Sequence, residues 1–400
     1  MLTLDRIYQA AHVLKGCLRQ TDVIPYANLQ CGCELYLKTE NLQVTGSFKV
    51  RGAYFKIAML SDEQKKKGVI ACSAGNHAQG VALAAQRMGV DATIFIPSIA
   101  PLSKVEATKS YGAQVRLVDG VYDDAYQACI DYQKENDCVF IHPFDDEDVI
   151  AGQGTIGLEL LDQIPGLDAI IVPVGGGGLI AGVAFAAKKL NPDCKIYGVQ
   201  AAGASSMFRS LESGQRTNID QVLTFADGIA VKSPGELTYE LCREYVDRIV
   251  TVTDDEIATA ILTLMEQQKL VTEGAGAVGV ASVLFGKLPL DGKKVCTLVS
   301  GGNIDVNILS RVISRGLLTT GRLSELTIEM LDKPGQLRDV SATVADMGAN
   351  VIKVLHNPGG ENTNINSCYL HISMETKNRE HFCEVKKALQ RAGYRIVDGN

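Results

Sequence analysis

Ala169-Ile170-Ile171-Val172-Pro173-Val174-Gly175-Gly176-Gly177-Gly178-Leu179-Ile180 passes from a β-branched apolar run through four consecutive glycines into a second apolar run that reaches Leu190. From Ala169 to Ala187 there are nineteen residues without a charge, a length that would cross a bilayer. Pro173 and the glycines interrupt it in the middle, where lipid would leave backbone groups without partners, so a membrane span is rejected. The stretch predicts a buried strand at 169–172, a tight turn, and a buried helix at 179–190. Successive glycines at such a helix start let backbone N–H groups converge on an anion such as phosphate. No Lys or Ser/Thr follows them as nucleotide hydrolysis would need, which points to a phosphate held without a required magnesium ion.

Working outward, the same strand-then-helix rhythm recurs. Strands are expected at 69–72, 92–96, 114–118 and 138–141, with helices near 78–88, 103–111 and 123–135 between them. A parallel, doubly wound α/β domain over about 68–144 follows. Strands at 195–199 and 294–299 extend a second α/β layer, which the residues before Gly68 join through the short strand at 36–38. Beyond Leu323 the composition changes. Strands at 326–331, 351–355, 367–374 and 394–397 alternate with helices at 336–347 and 378–391, giving βαββαβ, a ferredoxin-like unit with its boundary near Gly321. Leu337, Val340, Val344 and Met347 are expected on the inner face of its first helix, and Phe382, Val385 and Leu389 on that of its second.

The chain has 400 residues, a formal net charge of -7, 46% hydrophobic and 21% charged residues. That is a globular composition, with no basic footprint for nucleic acid. Lys65 to Lys67 sits among acidic and amide residues and reads as a solvated helix face. Eleven cysteines at irregular spacing, and Asp5, Arg6 and Lys15 where an export signal would be apolar, lead us to expect reduced thiols in the cytoplasm. Cys31-Gly32-Cys33 lacks a second ligand pair at zinc spacing, so no metal site is assigned.

Three further segments carry chemistry. Thr45-Gly46-Ser47-Phe48-Lys49-Val50-Arg51-Gly52 sets a lysine in a partly apolar, glycine-flanked segment, where burial would lower its pKa and favour covalent chemistry with carbonyl groups. Alone it reads better as a surface lysine on a loop before a helix. Cys72-Ser73-Ala74-Gly75-Asn76-His77 lies between a strand and a helix, and its small and amide groups suit a carboxylate. Thr297-Leu298-Val299-Ser300-Gly301-Gly302-Asn303 ends an apolar strand with a hydroxyl at the sheet edge, where α/β ligands bind.

Together the four motifs resemble the fold-type II (tryptophan synthase β-like) pyridoxal-phosphate enzymes, specifically threonine ammonia-lyases, over residues 1–320. The resemblance implies pyridoxal 5'-phosphate as cofactor, Lys49 as its Schiff-base lysine with Phe48 beside it, and Gly175, Gly176, Gly177 and Gly178 as the phosphate cup. It implies Asn76 at the ring hydroxyl and Ser300 at the pyridine nitrogen. Ser73, Ala74, Gly75, Asn76 and His77 would line the substrate-carboxylate site. The implied reaction is deamination of L-threonine to 2-oxobutanoate and ammonia: Lys49 removes the α-proton, and the cofactor phosphate protonates the departing β-hydroxyl. L-Serine giving pyruvate is an expected side activity. Ser300, a neutral hydroxyl, is expected to weaken the electron sink and favour prompt elimination over transamination.

Residues 323–400 resemble an ACT regulatory domain, with Asp332, Pro334, Gly335 and Leu337 in its first strand-to-helix turn. An amino-acid effector is implied there, with isoleucine the first candidate in a biosynthetic role; a domain serving only oligomer contacts is the alternative. A homodimer or homotetramer is implied by the family. Serine racemase is the nearest competing enzyme, but its pattern has a serine where this chain has Ala74, and acidic metal ligands where it has Gln200 and Ser206. Cysteine and threonine synthases differ in the segment after the lysine. A non-catalytic amino-acid sensor is disfavoured by the joint presence of Lys49, Asn76, the tetraglycine and Ser300.

Overall fold

The computed structural model describes residues 1–27, 29, 31–358 and 365–397, and the chain divides into two compact units, Met1–Ile308 and Leu309–Asn400. In the first unit, runs of β-branched residues bounded by glycine and polar turns form β1 (Val23–Pro25), β2 (Glu34–Lys38), β3 (Val69–Cys72), β4 (Ala92–Pro97), β5 (Gln114–Val118), β6 (Val139–Phe140), β7 (Ala169–Pro173), β8 (Lys195–Ala201), β9 (Arg248–Val252) and β10 (Lys294–Leu298). They make two sheets. The larger has the order β1-β2-β10-β7-β8-β9 and the smaller β5-β4-β3-β6. Every pairing is parallel except β1 with β2. Strands β3, β4 and β7 are buried along their whole length, as expected when helices cover both faces of a parallel sheet.

The expected strands of both layers form, and 36–38 does enter the larger sheet through β2 beside β10. The helix Asn76–Met88 begins two residues earlier than its apolar pattern, which brings Asn76 and His77 into the first turn. Several helices are not assigned from the sequence, Leu4–Leu14, Glu236–Tyr245, Asp254–Thr263 and Val306–Thr319 among them, and two more, Glu147–Gln163 and Gly274–Leu284, escape the periodicity altogether. Both are glycine-bearing and buried on most sides, so neither shows a polar face or a strong intrinsic propensity. Among the described residues no helix is long and apolar enough to cross a membrane.

A buried ion network underlies the lysine helix (Lys49–Ala58). The Arg51 guanidinium donates to Glu40 at 2.8 Å through Nε and 2.8 Å through Nη2, and to Glu159 Oε1 at 2.5 Å. Lys38 Nζ reaches Glu159 at 2.6 Å. Burial pushes the Glu40 carboxyl up, but the charge and hydrogen bonds of Arg51, then Lys38 and Thr21, outweigh it and leave the group below its usual value. Two cations and two anions balance, so the helix is pinned two residues from Lys49 without a net buried charge.

The second unit contains β11 (Leu323–Leu331), a helix Gln336–Asp346, β12 (Asn350–Pro358), β13 (Ser367–Glu375), a helix Arg379–Arg391 and β14 (Arg395–Val397). The order is βαββαβ, and the sheet order β12-β13-β11-β14 with antiparallel pairs is ferredoxin-like. Its core takes Val340, Val344, Val385 and Leu389 from the helices against Leu370 and Ile372 of the sheet. Leu337 departs from the expected inner face: it is 45% exposed, because it lies in the first helical turn, ahead of the core that starts at Val340. The units divide inside the helix Val306–Thr319, whereas the composition changes only where that helix gives way to β11, near Gly321.

Candidate active site

Lys49 opens its helix directly after Phe48. Its Nζ donates to Pro143 O at 2.7 Å. Loss of solvent around Nζ lowers its pKa from 10.5 to about 8, opposed by the charge of Glu273. An amine so placed exchanges its proton near neutrality, unlike a surface lysine. Phe48 N–H donates to Ser300 O at 3.1 Å, and Ser47 bridges to Gly301, so the lysine segment is stitched to the end of β10. Ser47 Oγ is buried there without a protein partner.

The second motif follows β3. Ser73 N–H donates to Phe95 O, and Ser73 Oγ accepts from Gly75 N–H at 3.1 Å, turning the chain through Ala74 into the helix Asn76–Met88. No side chain caps that helix at Gly75, so its first N–H groups are left to bind an anion. Asn76 Nδ2 donates to Glu273 Oε1 at 2.7 Å, and Asn76 Oδ1 accepts from Asn303 at 2.8 Å. One Nδ2 hydrogen is left over. His77 is placed differently from expectation: its ring is buried, with Nε2 2.8 Å from Ile141 O. Burial, then the Lys49 charge, lowers its pKa to about 3, so the ring is neutral and only the backbone of His77 is offered to a carboxylate.

At the third motif, β7 runs into the tetraglycine and the helix Gly178–Leu190, whose N-cap Gly177 has φ +101° and no capping side chain. A left-handed φ favours glycine. A Cβ at Gly176 would lie 2.5 Å from the Phe144 ring, and one at Gly177 2.6 Å from Met207 Cε. The loop is thus bare backbone N–H over packed side chains. Phe144 follows Pro143, whose carbonyl takes Lys49 Nζ, so the loop and the lysine share one wall.

Ser300 is buried at the end of β10, at 2% exposure. Next to it, a Cβ on Gly301 would come within 2.4 Å of Glu273 Oε1. Glu273 was not anticipated from the sequence. It precedes the helix Gly274–Leu284 as its N-cap, is 4% exposed, and has its carboxyl raised from 4.5 to about 7 by burial and then by the Asp227 charge, against the Asn76 hydrogen bond, Lys104 and Lys49. Asp332, Pro334 and Gly335 are exposed in the turn between β11 and the helix Gln336–Asp346, with Gly335 as N-cap at φ +96° and no side-chain cap, and Leu337 is exposed in the first turn of that helix.

Residues 14–301 match the family described as pyridoxal-phosphate dependent enzyme. The chain is 49% identical to an L-threonine ammonia-lyase of Thermotoga maritima over 99% of both proteins. The chain belongs to the threonine ammonia-lyase family of pyridoxal-phosphate enzymes. Among solved structures, the processed form of threonine deaminase isoform 2 from Solanum lycopersicum superposes with a TM-score of 0.74 at 38% identity, covering 78% of this chain and 94% of that one. Maize serine racemase gives 0.75 at 37%, covering 79% and 98%.

Pyridoxal phosphate is accordingly the cofactor of this threonine ammonia-lyase family member. The residues fit it on independent grounds: a lysine whose amine is poised near neutrality, an uncapped glycine loop that leaves no room for a Cβ, a leftover Asn76 hydrogen, and a neutral hydroxyl at the strand end.

Proposed function

We propose that the chain removes ammonia from L-threonine, through loss and later uptake of one water, to give 2-oxobutanoate, and acts on L-serine more slowly to give pyruvate. The observation that carries this reading is that Lys49, its amine lowered to about 8, and the uncapped glycine loop share the Pro143–Phe144 wall, while the uncapped helix start after Gly75 is held to Ile141, two residues before that wall, through His77. Gly175 to Gly178 present N–H groups that hold a phosphate, and the first turn after Gly75, with Ser73 and Ala74, orients the substrate carboxylate. Asn76 would donate its remaining hydrogen to the ring hydroxyl, with Glu273 and Asn303 fixing the amide plane. Bound pyridoxal phosphate supplies the sink for the electron pair left at the substrate α-carbon. Lys49, neutral on the alkaline side of about 8, takes the α-proton. Ser300 would meet the pyridine nitrogen with a neutral hydroxyl, which would limit how long negative charge rests at that carbon and favour loss of the β-hydroxyl. The released enamine takes up water, frees ammonia and leaves the 2-oxo acid.

Serine racemase is the second reading, favoured by the maize likeness. Ala74 speaks against it, since no hydroxyl stands there to return a proton to the opposite face of the substrate. Gln200 and Ser206 are engaged with backbone, Gln200 Oε1 with Phe208 N–H at 2.8 Å and Ser206 Oγ with Val231 O at 3.0 Å, which supports turnover without a divalent ion at that place. A panel of L- and D-hydroxy amino acids, assayed for 2-oxo acid release before and after chelation, tests the reading. 2-Oxobutanoate from L-threonine that survives chelation is expected. Discrimination against serine rests on one methyl group, worth about 1–3 kcal/mol. Eleven cysteines, all free, support a reducing, cytoplasmic setting.

The second unit is read as an ACT-type regulatory domain, its bare turn at Asp332 to Leu337 taking a small amino acid, isoleucine first. An effector acts only if it binds active and inactive states unequally. The tomato and maize proteins, matched over 94% and 98% of their own chains by 78% and 79% of this one, support comparing the full chain with one cut after Gly321. Isoleucine sensitivity in the first and not the second is expected, and equal responses would reject the reading.

A further inference from the structure

Cys368 sits on β13, the strand between β12 and β11, opposite Pro358 on one side and Met330 on the other, and is 0% exposed. His356 on β12 stands opposite Leu370, two residues beyond Cys368. Side chains two apart on a strand, and side chains directly opposite across an antiparallel pair, share a face. His356 and Cys368 therefore leave the same side of the sheet. Asp332 follows β11, and its N–H donates to Asn366 O at 2.9 Å, which extends the β11–β13 ladder by one pair and sets Asp332 on that side too. Carboxylate, imidazole and thiol all come within 4.8 Å of one another, with His356 Nε2 3.7 Å from Asp332 Oδ1.

We propose that Asp332, His356 and Cys368 form a binding site for a divalent transition metal ion of the zinc and cobalt class. A tetrahedral ion bonded to sulfur at about 2.3 Å and to nitrogen or oxygen at about 2.0–2.1 Å sets its ligand atoms roughly 3.3–3.6 Å apart. The observed separations are within a small side-chain rotation of that. The two ligands that have to move are the free ones, since the side chains of Asp332 and His356 are 60% and 44% exposed. The thiol is the fixed one. Its Sγ has only a weak contact, 3.6 Å to Met330 O, which a metal bond would replace.

The donor set selects the ion. A thiolate with an imidazole favours zinc or cobalt over magnesium or calcium, which take oxygen ligands. Binding releases the Cys368 proton, and the resulting thiolate with the Asp332 carboxylate neutralises the two positive charges of the ion. Because binding displaces that proton, affinity rises with pH. Asp332 and His356 open to solvent, leaving a fourth position for water. Nothing in the spacing of 332, 356 and 368 suggests zinc; the site exists only once β12 and β11 flank β13. It stands on these donors whether or not an amino acid binds the neighbouring turn.

The test uses full-length holoenzyme, stripped with chelator, dialysed and titrated with Co²⁺. Saturation at a single ion per chain is expected, with ligand-field bands beyond the cofactor absorption. His356→Gln changes an exposed residue outside the catalytic unit; it should weaken binding at least about tenfold and leave threonine turnover unchanged. Cys368→Ser should remove the sulfur-to-cobalt charge-transfer band, and if that variant does not fold, His356→Gln decides alone. Absence of saturable binding, or equal affinity in wild type and His356→Gln, for example through Cys31 and Cys33, overturns the proposal.

Discussion

Replacing Glu273 by glutamine isolates one buried proton. The carboxyl is 4% exposed and rises from 4.5 to about 7, chiefly through burial and then the charge of Asp227. That rise disfavours the ionised form by roughly 3 kcal/mol. Because the folded-state value lies above the unfolded one, the favourable contribution is complete below 4.5, declines as pH climbs, and is lost above about 7. Glutamine keeps an oxygen for Asn76 Nδ2 and carries no charge at any pH, so the wild type should lose stability across that window relative to the variant. Infrared difference spectra of the holoenzyme, wild type minus Glu273→Gln, read the proton directly. A protonated-carboxyl C=O band should be present at about pH 5.5 and vanish with a midpoint near neutrality. Turnover of the two proteins should run parallel on the acid side and part on the alkaline side, where ionised Glu273 tightens the hold of Lys49 on its proton. A difference spectrum without that band at about pH 5.5 would refute a neutral Glu273 and the burial argument behind it.

Gly176→Ala places a Cβ 2.5 Å from the Phe144 ring; overpacking of about 1–3 kcal/mol should loosen the phosphate loop and weaken cofactor retention by roughly tenfold or more, followed by visible absorbance during dialysis. Arg51→Met leaves Glu40, 0% exposed, without its main partner and should destabilise the first unit by about 3–5 kcal/mol, with the double variant carrying Glu40→Gln as well costing less than the sum of the singles in urea unfolding. Ala74→Ser restores a hydroxyl at the turn before Asn76 and should produce D-serine from L-serine, read by chiral chromatography; no racemisation would remove Ala74 as the distinction between the two chemistries.

The strand-glycine-helix unit at 169–190 was legible because an apolar run, a glycine cluster and a second apolar run each have a local cause. The same holds for β3 to β6, short apolar runs that alternate with helices at regular spacing, β3 and β4 among them buried throughout. Glu273 was not legible. It is one acid ahead of a glycine-bearing helix, and its partner Asn76 is 197 residues away, so only folding reveals that it is desolvated. Local pattern also said nothing of where the His77 ring points; the carbonyl of Ile141, after β6, decides that. Leu337 has the right periodicity for the core, but periodicity does not mark where the sheet beneath a helix ends. Asp332, His356 and Cys368 meet through strand register alone.

Borohydride reduction of the holoenzyme followed by peptide mapping tests the central claim most directly, that Lys49 is the residue joined to the cofactor. The place of its Nζ beside Pro143 O and its lowered pKa of about 8 predict a reduced pyridoxyl label on Lys49, with L-threonine turnover lost in proportion to labelling. A stoichiometric label on any other lysine, with Lys49 unmodified, would contradict the account.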